Sequence, residues 1–279
     1  MTSTATGTAS RWPSGSTDPE TTRLAAGILA LVPAVALLLV TIVDSGPVGT
    51  RFPSGIHEPI ALLAILGPAS AALVLGLNTA DVSVRVAMLF VGVFGLLSAV
   101  SETAMAPAAI ALAGATVLLA ATAVKTADSP GQVVVTVAFT VGVLASMAGA
   151  FGFEPAFTRS LGSVAVAGAI VGLPAFVGWS RRSVFVGLLA GAVVAGVGIA
   201  VPALVAAVGL LGMGIVGLPL AVLVVGAVGG GTAVTRAVET GRLPMALAGL
   251  LVLVAGVPAT IPRALALIVG VALLLEGSR

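Results

Sequence analysis

The sequence predicts an all-α fold, a polytopic transmembrane helix bundle of about ten helices. Three observations predict it. Apolar stretches follow one another from Leu24 to Leu275 with short polar breaks, and most are long enough to cross a hydrocarbon core of ~30 Å. Charged residues make up 8% of the 279 residues and hydrophobic residues 59%, whereas soluble domains carry about 25% charge. With a mean hydropathy of +1.24, the chain cannot cover a water-facing surface, so lipid is its solvent. The apolar runs are also continuous rather than alternating, which favours helices over a β-barrel.

Residues 1–22 are polar, rich in Ser and Thr, and aperiodic, and they read as a disordered cytoplasmic tail. Residues 23–279 form the transmembrane helical domain. The first span, Leu24–Val43, is too long for a signal-peptide core, and Asp44-Ser45-Gly46 offers no small-x-small cleavage site, so it reads as an uncleaved helix. Then come Ile60–Leu77, Val84–Val100, Ala106–Val124, Val133–Phe151 and Leu161–Trp179. The stretch Val184–Val234 has no polar break and is too long for one crossing. It divides at Gly209-Leu210-Leu211-Gly212 into Val184–Ala207 and Gly212–Val234. Leu243–Val257 and Ala259–Leu275 are short for a crossing, and Pro258, Pro262 and Arg263 crowd their junction. A shallow hairpin that does not fully cross is the expectation there.

The basic residues predict the orientation. With the N-terminus on one side, that side collects Arg11, Arg23, Arg85, Lys125, Arg181, Arg182, Arg236, Arg242 and Arg279. The other side holds Arg51, Arg159 and Arg263. Both termini are expected to be cytoplasmic, in the cell membrane. Trp179 fits an inner interfacial anchor, and Phe52, Phe151, Phe153 and Phe157 an outer one.

A repeat of helical hairpins is a further expectation. Thr79-Ala80-Asp81 recurs as Thr126-Ala127-Asp128, and similar residues follow each triplet: Phe90-Val91-Gly92-Val93 in one case, Phe139-Thr140-Val141-Gly142-Val143 in the other. Chance self-matching in an Ala/Val/Gly/Leu-rich chain competes with this reading.

Few residues could carry chemistry. Glu58, Glu102 and Glu154 stand at outer loops, each before a returning helix. They could form an acidic ring for a cation or basic ligand, or they could simply complement helix macrodipoles. His57 beside Glu58 could be a proton-sensitive pair, and Glu154 could pair with Arg159. The spacings Gly168/Gly172, Gly187/Gly191 and Gly226/Gly230 are small-xxx-small pairs that let helix backbones approach closely. Pro33, Pro68, Pro174, Pro202 and Pro219 could kink helices. Ser98, Ser101, Thr136, Thr140 and Ser146 could line a polar path or bond to their own helices.

Other classes recede. The chain has no Cys and one His, so thiolate chemistry and a His-rich metal site are excluded. No phosphate-cradling loop, zinc motif or nucleophile elbow occurs, and an enzyme is not expected. No cofactor is expected. No Lys/Arg cluster exceeds Arg181-Arg182, so nucleic acid is not an expected partner. No acid or base falls in the middle of an apolar stretch, where a proton or ion relay would place one.

One lysine against eleven arginines, the absence of Cys, the Ala/Val/Gly/Leu bias and the Thr/Ser/Asp-containing tail resemble uncharacterised multi-pass membrane proteins of halophilic archaea. The likeness is compositional and spans the whole chain. Ten helices with both ends inside also resemble the drug/metabolite transporter superfamily, in count and topology alone. The expected function is that of an integral membrane subunit or scaffold acting through helix–helix contacts with lipid and other membrane proteins. The alternative is a transporter or channel for a small solute.

Overall fold

The computed structural model describes residues 18–45, 52–201, 219–256, 258 and 260–277. Among these residues the fold is helical with no strand. We number the helices α1 (Pro19–Ser45), α2 (His57–Asn78), α3 (Val82–Val100), α4 (Met105–Lys125), α5 (Pro130–Ala150), α6 (Pro155–Gly172), α7 (Arg181–Ala200), α8 (Pro219–Glu239), α9 (Leu243–Ala255) and α10 (Ile261–Gly277). Eight of the helices are long and apolar enough to cross a membrane; α9 and α10 are shorter.

The helix boundaries have local causes. α1 starts at Pro19, earlier than composition suggests, because the Asp18 carboxylate accepts from Glu20 N and the Asp18 carbonyl from Thr22 N. Asp81 caps α3 by accepting from Ser83 N and Val84 N. Ser129 caps α5, followed by proline in the first turn. Ser180 and Ser183 form a reciprocal capping box on α7. Pro174 lacks an amide proton and interrupts the expected sixth span after Gly172. A one-turn helix, Pro174–Val177, completes it. Pro33 and Pro68 lie inside α1 and α2. The turn at Gly209–Gly212 and the Pro202 position lie outside the described residues.

Packing arranges the helices as a ring around one central helix. Each of α1 to α5 packs on its successor, α6 packs on α8, α8 on α9, and α9 returns to α1. α10 sits inside the ring against α1, α2, α3, α4 and α9. From Ala264 to Glu276 it is buried at every position but Val271. α7 lies outside the ring, packed on α8, with Phe185, Leu188, Leu189 and Val193 exposed. Lipid tails solvate those side chains, and burial against them drives no helix association. Close backbone approach at small residues does. A Cβ on Gly67 would stand 2.6 Å from the Leu29 carbonyl of α1, and one on Gly229 would stand 2.6 Å from Val171 Cα of α6.

The α9–α10 hairpin corrects the expectation of a shallow one. Its two helices are shorter than the eight spans, but the hairpin occupies the centre of the bundle rather than a margin. α9 runs alongside α1, with Leu247 against Gly27 and Val254 and Ala255 near Leu37 and Leu38. From Leu38, α1 continues to Ser45, about 10 Å further at 1.5 Å per residue. The hairpin therefore enters from the face that carries the start of α1, here the N-face. Its last α9 residue, Ala255, lies about 10 Å below the distal end of α1, and the turn that follows continues towards that face. The hairpin repeat is accordingly uneven: three hairpins follow the ring, while α7 lies outside it and α10 inside it.

Candidate functional site

The short hairpin leaves space above its tip. Gly256 ends α9 with a left-handed backbone (φ 57) that turns the chain within the bundle, a conformation that favours glycine. The segment then passes Pro258 and Thr260 into α10. Irregular backbone at membrane depth is tolerated where it is enclosed by protein or lines a water-filled cavity. Here it lines a distal vestibule of about 440 Å³, whose walls include Ile65, Ser98, Met105, Met147, Phe151 and Thr260. Among the described residues no ionisable side chain lines it. The Ser98 hydroxyl donates to the Gly95 carbonyl of its own helix (2.7 Å), whereas Thr260 is exposed at the tip. Below the vestibule α10 is tightly packed: Leu265, Leu267 and Val269 are fully buried. The arrangement is a cup with an apolar wall, a few polar atoms and a helical floor. Such a cup suits a small, uncharged molecule.

The other end of α10 is clamped. Glu276, 8% exposed, accepts from Arg23 Nη2 at 2.7 Å and from the Thr79 hydroxyl at 2.6 Å. Arg85 Nε and Nη2 donate to the Thr79 carbonyl at 3.2 and 2.7 Å. Four side chains from α1, the α2–α3 loop, α3 and α10 thus tie the central helix to the N-face. The sequence reading missed Glu276 because its partners are remote along the chain. It also separates the two triplets of the expected repeat: Thr79 serves Glu276, whereas Thr126 donates to the Thr122 carbonyl of its own helix.

The expected outer cluster does not assemble among the described residues. His57 Nε2 pairs with the Asp44 carboxylate at the end of α1, not with Glu58. Asp44 also accepts from Phe52 N at 3.1 Å. Glu58 is exposed in the first turn of α2. Glu154 is exposed and left-handed (φ 41) before α6, and Arg159 is exposed without an ion pair to it. α2 and α6 stand on opposite sides of the ring, which keeps their carboxylates apart. Glu102 opens a short turn, Glu102–Ala104, and its side chain lies outside the described residues.

The glycine pairs divide. A Cβ on Gly187 would collide with Thr232 Oγ1 and stand 2.5 Å from the Val228 carbonyl. One on Gly191 would stand 2.5 Å from Val228 Cγ2, and one on Gly230 2.5 Å from Leu253 Cδ2. Gly172 would collide with Val135. Gly226 would make only ordinary contact, 3.8 Å from Ile170. Gly168 is a correction: it faces open space, so the sixth-span pair packs through Gly172 alone. Thr136 and Thr140 donate to carbonyls one turn back, and Ser146 Oγ is buried without a partner against Gly162. They form no polar path. Arg263 is a second correction. It is not an outer-loop residue but part of the first turn of α10, level with Leu37 and Ala64 inside the bundle.

Eight spans, a buried central helix and a lipid-facing apolar exterior define an integral, polytopic membrane protein. The match over residues 23–275 places the chain more closely: it belongs to an integral membrane family of unknown function (DUF8068). No curated protein and no solved structure matches it.

Proposed function

We propose that this protein is a transporter or channel for a small, uncharged solute. The distal vestibule is its outward-facing binding site, and the α9–α10 hairpin is the plug that closes the floor. The observation that carries this reading is the hairpin itself, which enters from one face, turns at the centre of the bundle and leaves a partly open cup at its tip. Elements of this kind allow irregular backbone to meet a solute at membrane depth. The work is binding and passage rather than catalysis. The bias of basic residues, nine on the N-face side against Arg51 and Arg159 once Arg263 is placed inside the bundle, supports a cytoplasmic N-face in the cell membrane. The arginine-for-lysine composition supports a halophilic archaeal source.

The test is swelling of proteoliposomes in gradients of small uncharged solutes of graded size. Wild-type protein should accelerate swelling for solutes that fit, and Ala150→Trp at the cavity wall should abolish the effect. Swelling no faster than in protein-free vesicles for every solute would overturn the proposal. The scaffold reading keeps one specific observation. A groove of about 730 Å³ runs between α3 and α4, lined by stacked Phe90 and Phe94 and by Gly114, which has open space beside it. A stoichiometric membrane partner that co-purifies with wild type and is lost in Gly114→Trp would support that role.

A further inference from the structure

We propose that Arg263 holds a small monovalent anion of halide size inside the distal half of the membrane domain. This site is separate from the vestibule and does not depend on what the vestibule binds. Arg263 lines a small cavity between α1, α2, α9 and α10, whose other walls include Ala34, Leu37, Leu38, Ala64 and Val254. Every other lining residue is apolar. Leu38 and Ala64 each lie seven residues from the distal end of their helix, so the site is about 10 Å below that face.

The guanidinium makes no hydrogen bond or ion pair with any described residue, although it carries five donors. The nearest acids in the chain's course are committed or remote: Asp44 pairs with His57, and Glu58 is exposed at the start of α2. The first turn of a helix is also where the macrodipole opposes a cation, so α10 itself does not stabilise the charge. A cation at membrane depth is retained where something compensates it. The cavity measures about 20 Å³, and a cavity of about 10–15 Å³ or more admits one water-sized particle. An anion of that size supplies the missing charge.

The experiment is thermal unfolding of the purified full-length protein in detergent. Sodium chloride replaces sodium gluconate at constant ionic strength, so general screening is unchanged. The wild-type midpoint should rise with chloride and saturate. Arg263→Lys keeps the charge and should keep a saturable rise at higher chloride. Arg263→Gln should lose the chloride dependence. Ala64→Val keeps the arginine but fills the cavity, and it should lose the dependence too, which covers the case that Arg263→Gln fails to fold. A wild-type midpoint equal in the two salts would overturn the proposal and show that water alone solvates the guanidinium. A chloride response retained in Arg263→Gln or in Ala64→Val would overturn it as well.

Discussion

Replacing Glu276 tests whether the N-face clamp holds the central helix. The carboxylate joins Arg23 and Thr79 while almost fully buried. A Glu276→Gln amide keeps the shape and a bond to the Thr79 hydroxyl but loses the charge-assisted bond to Arg23. Such a bond is worth about 1.5–3 kcal/mol net. Two effects reduce the cost. The Arg23 side chain is 31% exposed and partly rehydrates, and a neutral amide relieves the macrodipole penalty of an anion at a helix C-terminus, about 0.3–1 kcal/mol. The expected loss is therefore about 1–2.5 kcal/mol. Glu276→Ala also strands the Thr79 hydroxyl, 5% exposed, and should cost about 3–5 kcal/mol, as removal of one partner from a buried pair does. Glu239→Gln is the control. Glutamine loses the pair with Arg236, three residues away on the same helix at 3.4 Å, but its amide oxygen can still accept from the Ser180 hydroxyl, so the change should matter by less than about 1 kcal/mol. The assay is reversible unfolding in mixed micelles, at low and high salt, since a buried pair is screened little. A Glu276→Gln variant within about 0.5 kcal/mol of wild type, or no less stable than Glu239→Gln, refutes the clamp.

Further outcomes follow from the same packing. Gly187→Ala should destabilise by about 1–3 kcal/mol because its methyl meets the Val228 carbonyl, while Gly168→Ala, facing open space, should be neutral or slightly stabilising in the same assay. Gly229→Ala should cost at least as much as Gly187→Ala, because both atoms it meets first belong to the α6 backbone, Val171 Cα at 2.6 Å and the Ile170 carbonyl at 2.9 Å; an unchanged unfolding midpoint would contradict that contact. The chain has no native Cys, so Thr260→Cys and Ala80→Cys report the two faces directly. An impermeant maleimide added outside oriented vesicles should label the first and spare the second, and the reverse pattern would invert the proposed orientation. Ala266→Cys, on the buried face of α10, should label slowly. Adding Glu276→Ala should raise its rate about 100-fold if the clamp contributes about 3 kcal/mol to hairpin docking.

The spans were legible because lipid imposes length and composition on each helix by itself. The predicted Val84–Val100 and the observed Val82–Val100 differ by two residues, and local capping accounts for that. What the sequence did not display is depth and partnership. Arg263 next to two prolines reads as a loop residue because hydropathy marks a break without saying whether the break reaches water. Glu276 near the chain end reads as terminal polarity, since nothing local announces Arg23 or Thr79. The glycines show the same division. Spacing found Gly187 and Gly191, whose contacts repeat along one helix pair. It could not separate Gly168, which faces open space, from Gly172, nor single out Gly229 within the Gly229-Gly230-Gly231 run as the closest approach to α6.

The two ionised ends of α10 are handled in opposite ways, and this asymmetry bears on how the hairpin works. Glu276 has a cation and a hydroxyl within 2.7 Å, and it lies where the ring closes over the N-face. Arg263 has no described protein partner and lies beside open volume. A helix tethered through side-chain bonds at its base and completed by a diffusible ion at its tip has a fixed end and an adjustable end. Between them the side chains from Ala264 to Leu274 are apolar and pack by shape. Close packing of this kind leaves the stretch little freedom to bend. On the proposed transporter reading, the Arg23–Glu276–Thr79 bonds stand between the vestibule and the N-face, and a passage through the bundle would have to part them.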